Sequence, residues 1–141
     1  MVVDTSALVA LFLREPGHDI IADLVDDAQR AYMSVVTRVE LTAVLCGRRL
    51  AADPVRVSEF VDALHLDPVP VTYEQMTLAV EALLTFGKGR HPAGLNLGDC
   101  FAYALAKSLG APLLFKGEDF ANTDITPAWR PGRVRTDAQQ P

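Results

Sequence analysis

The stretch that decides the fold lies at the N-terminus: Val2-Val3-Asp4-Thr5-Ser6-Ala7-Leu8-Val9-Ala10-Leu11-Phe12-Leu13-Arg14-Glu15-Pro16-Gly17. Two β-branched residues read as the end of a first strand. Thr5 or Ser6 can cap a helix that runs to about Glu15, where Pro16-Gly17 breaks it. A strand that passes at once into a helix is the start of a βα unit. The rest of the chain repeats this alternation of short apolar runs and amphipathic helices, which predicts one α/β domain with a mainly parallel sheet flanked by helices.

Beyond this segment, a helix is expected over 18–28 and a strand over Ala31 to Ser34. Thr37-Arg38-Val39-Glu40 has the spacing of a capping box and predicts a helix to about Leu50, with Val39, Ala43, Cys46 and Leu50 as its buried stripe. Asp53-Pro54 is an N-cap followed by proline, opening a helix with Val57, Phe60, Val61 and Leu64 at core spacing. Val69 to Val71 reads as a strand. Thr72 opens the next helix, with Met76, Ala79, Val80 and Leu83 inward and Gly87 at its end. A loop rich in Gly, Pro and basic residues follows. Asn96 then caps a helix closed by Gly110. Pro112 to Phe115 is the last strand. The domain is expected to span 1–130, and 131–141 is read as a flexible tail.

The chain has 141 residues, half of them hydrophobic and 22% charged. This suits a single globular domain with an ordinary core. Its formal net charge is −5. A chain-wide basic footprint for nucleic acid is therefore absent. Cys46 and Cys100 form no metal-binding or disulfide pattern and read as reduced, buried thiols. Nothing reaches membrane-spanning length, and the apolar run Ala7 to Leu13 lacks a basic leader, so no membrane association and a cytoplasmic location are expected. Walker-type phosphate loops, zinc-protease helices and Gly-x-Ser-x-Gly elbows are all missing.

The acids carry the chemistry. Asp4 follows the first strand directly. Glu40 is expected in the first turn of a helix that follows a strand, Asp99 in the first turn of the Asn96 helix, and Asp119 a few residues after the last strand. In an open α/β sheet, strand carboxyl ends and helix N-termini share one edge, where ligands bind. Each acid alone has a plain explanation as a cap, a dipole partner or a turn residue. Together on one rim they repel, and a hard divalent cation relieves that repulsion. Carboxylates without His or Cys point to Mg2+, with Mn2+ as substitute, and such a site suits phosphate chemistry.

These segments resemble the motifs of the PIN-domain ribonucleases. Val2 to Leu8 resembles the family's opening strand ending in Asp. Ser34 to Glu40 resembles its second motif, and Asn96-Leu97-Gly98-Asp99-Cys100-Phe101-Ala102 its third. Leu113 to Phe120, followed by Thr123-Asp124, resembles the last motif of a subgroup. The ordered set looks like the toxin component of VapBC toxin–antitoxin pairs. The resemblance implies a Mg2+- or Mn2+-dependent endoribonuclease, an antitoxin partner and a homodimer. It implies Asp4, Glu40 and Asp99 as the acidic core, with Ser6, or Thr5, orienting a ligand or water. One departure is Gly117, which stands where relatives often carry an acid. The fourth acid is then expected to be Asp119, with Glu118 and Asp124 as alternatives. Lys88, Arg90 and Lys116 are candidate RNA-backbone contacts; Arg48, Arg49, Arg130, Arg133 and Arg135 rank below them. His18 and His65 read as structural, and Trp129 as either packing the tail onto the domain or sitting at an interface. The rivals are a phosphatase with a nucleophilic Asp4, which would want a second Asp where Ser6 stands, and a catalytically inactive RNA- or partner-binding module on the same fold.

Overall fold

A computed structural model describes residues 1–131. The elements run β1 (Val2–Val3), α1 (Thr5–Leu13), α2 (His18–Asp26), β2 (Tyr32–Ser34), α3 (Val35–Leu45), α4 (Pro54–Ala63), β3 (Asp67–Val69), α5 (Tyr73–Phe86), α6 (Leu97–Leu109) and β4 (Leu113–Leu114). A short 3-10 helix, Phe120–Asn122, follows. The four strands form one sheet in the order β3-β2-β1-β4, and every pair is parallel. The expected α/β architecture is therefore present. Most of the predicted tail, including Arg133 and Arg135, lies outside the described residues.

The sheet is buried on both faces, and its pleat sorts the core. Val2 and Leu113 point to one side, where they join Leu105 of α6 and Ala79 and Ala82 of α5. Val3 and Leu114, one residue on, point to the other side and pack with Leu8, Ile21, Leu41 and Leu45 from α1, α2 and α3. This is the period of two expected of a strand with helices on both faces. Short strands suffice because the register is pinned from both sides. Trp129 packs against the second cluster, and Pro127 bridges to Leu113, so the segment after the 3-10 helix returns to the domain. Among the described residues, no helix is long and apolar enough to cross a membrane.

Two helices differ in phase from their sequence reading. Ser34 caps α3, its hydroxyl accepting from the Val36 amide at 3.2 Å. The helix therefore starts a turn before the Thr37-to-Glu40 box and ends at Leu45. Thr37, Leu41 and Leu45 are its buried residues, while Val39 is 69% exposed and Leu50 lies outside it at the surface. On α5 the inward residues are Gln75, Ala79 and Ala82. Met76, Val80 and Leu83 are exposed. Small side chains face α6, where alanines 102, 104 and 106 are themselves buried, so the two helices approach closely and the larger residues stay outside.

The revised phase of α3 is testable by urea unfolding. Leu41→Ala is expected to cost about 2–5 kcal/mol, as for other buried leucines. Val39→Ala is expected to stay within about 0.5 kcal/mol of the parent. Comparable losses at both positions would contradict the placement.

Candidate metal-binding cleft

The parallel sheet brings its carboxyl edge and the N-termini of the following helices to one rim. Asp4 stands at that edge, its amide donating to the Leu114 carbonyl at 2.9 Å and so extending the β1–β4 ladder. It is Asp4, not Thr5 or Ser6, that caps α1. One carboxylate oxygen, Oδ2, accepts from the Ser6 amide at 2.9 Å and from the Ser6 hydroxyl at 2.6 Å. The residue is only 1% exposed. Its second oxygen, Oδ1, is buried without any hydrogen-bond partner. An unpaired buried carboxylate oxygen is costly, and Asp4 lines an open cleft of about 520 Å³ shared with Glu40, Asp99, Asp119 and Lys116.

Each neighbouring acid is steered by the residue types around it. The Thr5 hydroxyl donates to Glu40 Oε1. Gly98, in the first turn of α6, leaves the space that the Glu40 carboxylate fills, since a Cβ there would collide with it. Glycine in a helix costs about 1 kcal/mol against alanine, so its presence marks this close approach. Glu40 thereby sits at a helix N-terminus, where the dipole favours an anion. Asp99 forms a reciprocal capping box with Asn96: its amide donates to Asn96 Oδ1 at 2.8 Å, and its Oδ2 accepts from the Asn96 amide at 2.9 Å. Its other oxygen remains for the cleft. Asp119 caps the 3-10 helix through its backbone only and reaches the cleft from the exposed side.

Burial and mutual repulsion hold two of these acids well above the carboxylate range. Burial raises Asp4 to about 6 against the lowering effect of the Ser6 hydrogen bonds, with Glu40 adding to the rise. Burial raises Asp99 to about 7; the Asn96 amide opposes it, and Asp4, Glu40 and Asp119 add to it. Acids so arranged favour either a proton or a cation. Among the described residues, no three His, Cys, Asp or Glu side chains meet closely enough to encage an ion alone. That arrangement and the all-oxygen donor set fit Mg2+ or Mn2+, which bind through one or two carboxylates and keep several waters. The orphaned Asp4 Oδ1 is the donor that most needs such a partner.

Asp4, Glu40, Asp99, Asp119 and Ser6, expected on one rim, are thus brought together. Ser6 acts differently from the expected ligand contact. Its proton goes to Asp4 and its oxygen accepts from the Lys116 amide at 3.0 Å, so it fixes Asp4 and ties β1 to the segment after β4. Asp124 lies elsewhere, bound to the Tyr103 hydroxyl at 2.6 Å and to Lys107 at 2.9 Å. Glu118, Lys88 and Arg90 do not line the cleft. Lys116 does, and so does Glu15, which the sequence reading passed over as the end of α1. Its mark in the sequence is an acid beside a helix-breaking Pro-Gly pair.

An acidic cleft at the carboxyl edge of a parallel sheet, built on an Asp directly after the first strand, has the donor chemistry that a divalent cation would fit. The PIN domain family profile matches residues 1–125, and the chain belongs to that family. It is 43% identical over 125 residues to ribonuclease VapC30 of Mycobacterium tuberculosis, covering 89% of this chain and 95% of that one. The fold is similar to that of M. tuberculosis VapC20, a toxin that cleaves the sarcin-ricin loop, with a TM-score of 0.68, 17% identity, and coverage of 89% and 95%. It is also similar to a chain of a toxin–antitoxin complex from Klebsiella pneumoniae, with a TM-score of 0.62, 15% identity, and coverage of 87% and 92%.

Two outcomes follow from the cleft. The folded protein retains the Asp99 proton up to about pH 7, whereas the unfolded chain releases it near pH 4. The native state then binds more protons across that interval, so this group's contribution makes metal-free stability fall as pH rises through it. Asp99→Asn is therefore expected to melt higher than the parent in EDTA at about pH 8, and to lose that advantage at about pH 4. Calorimetric melts at both pH values check this; a lower Tm for the variant at the higher pH would contradict it. Gly98→Ala is expected to leave the helix intact but displace Glu40. Mn2+ affinity measured by titration calorimetry should fall by about 10–100-fold, the range seen when groups supporting a metal site are disturbed, with little change in Tm.

Proposed function

We propose that this chain is a metal-dependent endoribonuclease, the toxin of a type II toxin–antitoxin pair. The observation that carries the reading is the buried, unpartnered Oδ1 of Asp4, a residue that lines a cleft shared with four other acids. The likeness to named VapC ribonucleases supports RNA as the substrate and phosphodiester hydrolysis as the reaction. Asp4 and Asp99 would hold the ion, with Glu40 and Asp119 completing its surroundings directly or through water. A bound Mg2+ or Mn2+ supplies Lewis acidity to a phosphoryl oxygen and lowers the pKa of water.

The protein's own part is positioning. Ser6 fixes Asp4, Thr5 and Gly98 fix Glu40, and Asn96 fixes Asp99. None of these acids has to reorganise when the substrate arrives, which is the condition for electrostatic catalysis. Lys116 at the cleft wall is assigned to the RNA backbone. Lys88 and Arg90, exposed on the loop before α6 and outside the cleft, are proposed as further phosphate contacts.

The partner is a VapB-like antitoxin, as the toxin–antitoxin neighbour suggests. A homodimer is supported by Tyr73, Met76, Val80 and Leu83, which form an exposed apolar seam on α5. Their three-four-three spacing suits a second helix, and a seam of this kind can pair with itself about a two-fold axis. The assigned location is the cytoplasm, and residues 1–130 form the functional domain.

Partner-free protein incubated with total cellular RNA tests the reading. Cleavage is expected with Mg2+ or Mn2+ and not with EDTA. Asp4→Asn and Asp99→Asn should each reduce it by more than about 100-fold, beyond the range for supporting groups, while circular dichroism remains unchanged. Undiminished cleavage by a folded Asp99→Asn protein would overturn the assignment.

A further inference from the structure

Lys116 is the only basic residue lining the acidic cleft among the described residues. Its amide donates to Ser6 Oγ, which in turn donates to Asp4 Oδ2. The backbone of Lys116 therefore lies two hydrogen bonds from the buried carboxylate. A lysine carries a compact charge on a flexible four-carbon stem. From this position its ammonium can reach the acids and take the place of a cation. It does not: Nζ is held by Glu15 Oε2 at 2.9 Å.

Glu15 is set up for that contact. Arg14 adopts the left-handed conformation with φ 52 as the C-cap of α1. The Glu15 amide then donates back to the Ala10 carbonyl at 2.9 Å, and its own carbonyl accepts from the His18 amide at 3.0 Å. The His18 ring Nδ1 also lies 3.0 Å from that carbonyl. The side chains of the pair are about one-third exposed, Lys116 at 32% and Glu15 at 37%. An ion pair so exposed contributes little to stability. Its value therefore has to be sought in where it places the lysine.

We propose that Glu15 is a positioning residue that withholds the Lys116 ammonium from the acidic cleft, keeping the cleft open to a divalent cation. This rests on the metal-dependent reading of the site. Without Glu15, Lys116 is free to pair with Asp4, Asp99 or Asp119 and competes with the metal. Glu15 is itself an acid at the cleft, so its removal also weakens the local negative potential. The two effects separate in a double-mutant cycle, because only the first requires a lysine at 116.

The experiment is titration calorimetry with Mn2+ alone on the full-length protein: parent, Glu15→Gln, Lys116→Met and the double variant, with Tm recorded for each. Glu15→Gln is expected to weaken Mn2+ binding about 10-fold, or 1.4 kcal/mol at that fold-change. In the Lys116→Met background the same substitution should change affinity less than about 2-fold, within the additivity error of such cycles. Equal losses in both backgrounds would leave only a through-space charge effect and overturn the proposal. So would unchanged affinity in Glu15→Gln. If the parent binds no Mn2+, the metal reading falls and takes this one with it, an outcome distinct from an additive cycle in a protein that binds.

Discussion

The structure turns on a carboxylate that is half satisfied. Asp4 follows β1 directly, caps α1 and continues the ladder to β4 at once, so it cannot move without disturbing three elements. Ser6 saturates one of its oxygens. The other has no partner, and burial holds the group well above its ordinary pKa. A position used only for capping would not need such burial, because caps work at the surface, where water completes the carboxylate. The remaining acids are arranged around this deficiency: Glu40 is drawn in by Thr5 and accommodated by Gly98, and Asp99 is fixed by its own capping box.

The architecture explains why so short a sheet suffices. Only parallel strands put every strand exit and every following helix N-terminus on one edge. Two or three residues per strand fix the register when alternate side chains enter separate cores. The same edge collects orphan helix N–H groups, whose partial positive charge favours acids there. The fold thus offsets some of the repulsion that the acids create, and a cation offsets the rest.

Much of this was legible in the sequence, and the failures have physical causes. Asp4 and Asp99 could be placed because a strand end and an Asn cap mark their positions locally. The four-residue spacing from Thr37 to Glu40 imitates a helix start, but Ser34 at the end of β2 takes that role first, so the stripe on α3 was read out of phase. On α5, large apolar residues occur around most of the helix, and hydrophobicity alone selected the bulky face. Close packing against α6 keeps Ala79, which was expected inward, and adds Ala82 in place of the bulkier residues. Asp124 carries the right chemistry for the fourth acid, yet Tyr103 and Lys107 hold it elsewhere. Glu15 and Gly98 were missed because their roles depend on partners distant in the chain: Lys116 for one, Glu40 for the other. Only tertiary structure brings such pairs together.

A chain of net charge −5 whose cleft is lined by five acids repels the backbone of the substrate assigned to it. Lys116 alone cannot reverse that field, least of all while paired with Glu15. A divalent cation in the cleft would offset it locally, because it attracts carboxylates and phosphate oxygens together. Metal and RNA binding are then coupled: each strengthens the other by the same factor, as linkage requires. Weak retention of metal by the free protein is compatible with firm retention in the complex. The acidic composition that first counted against nucleic-acid binding is, on this physics, the feature that makes binding conditional on the metal.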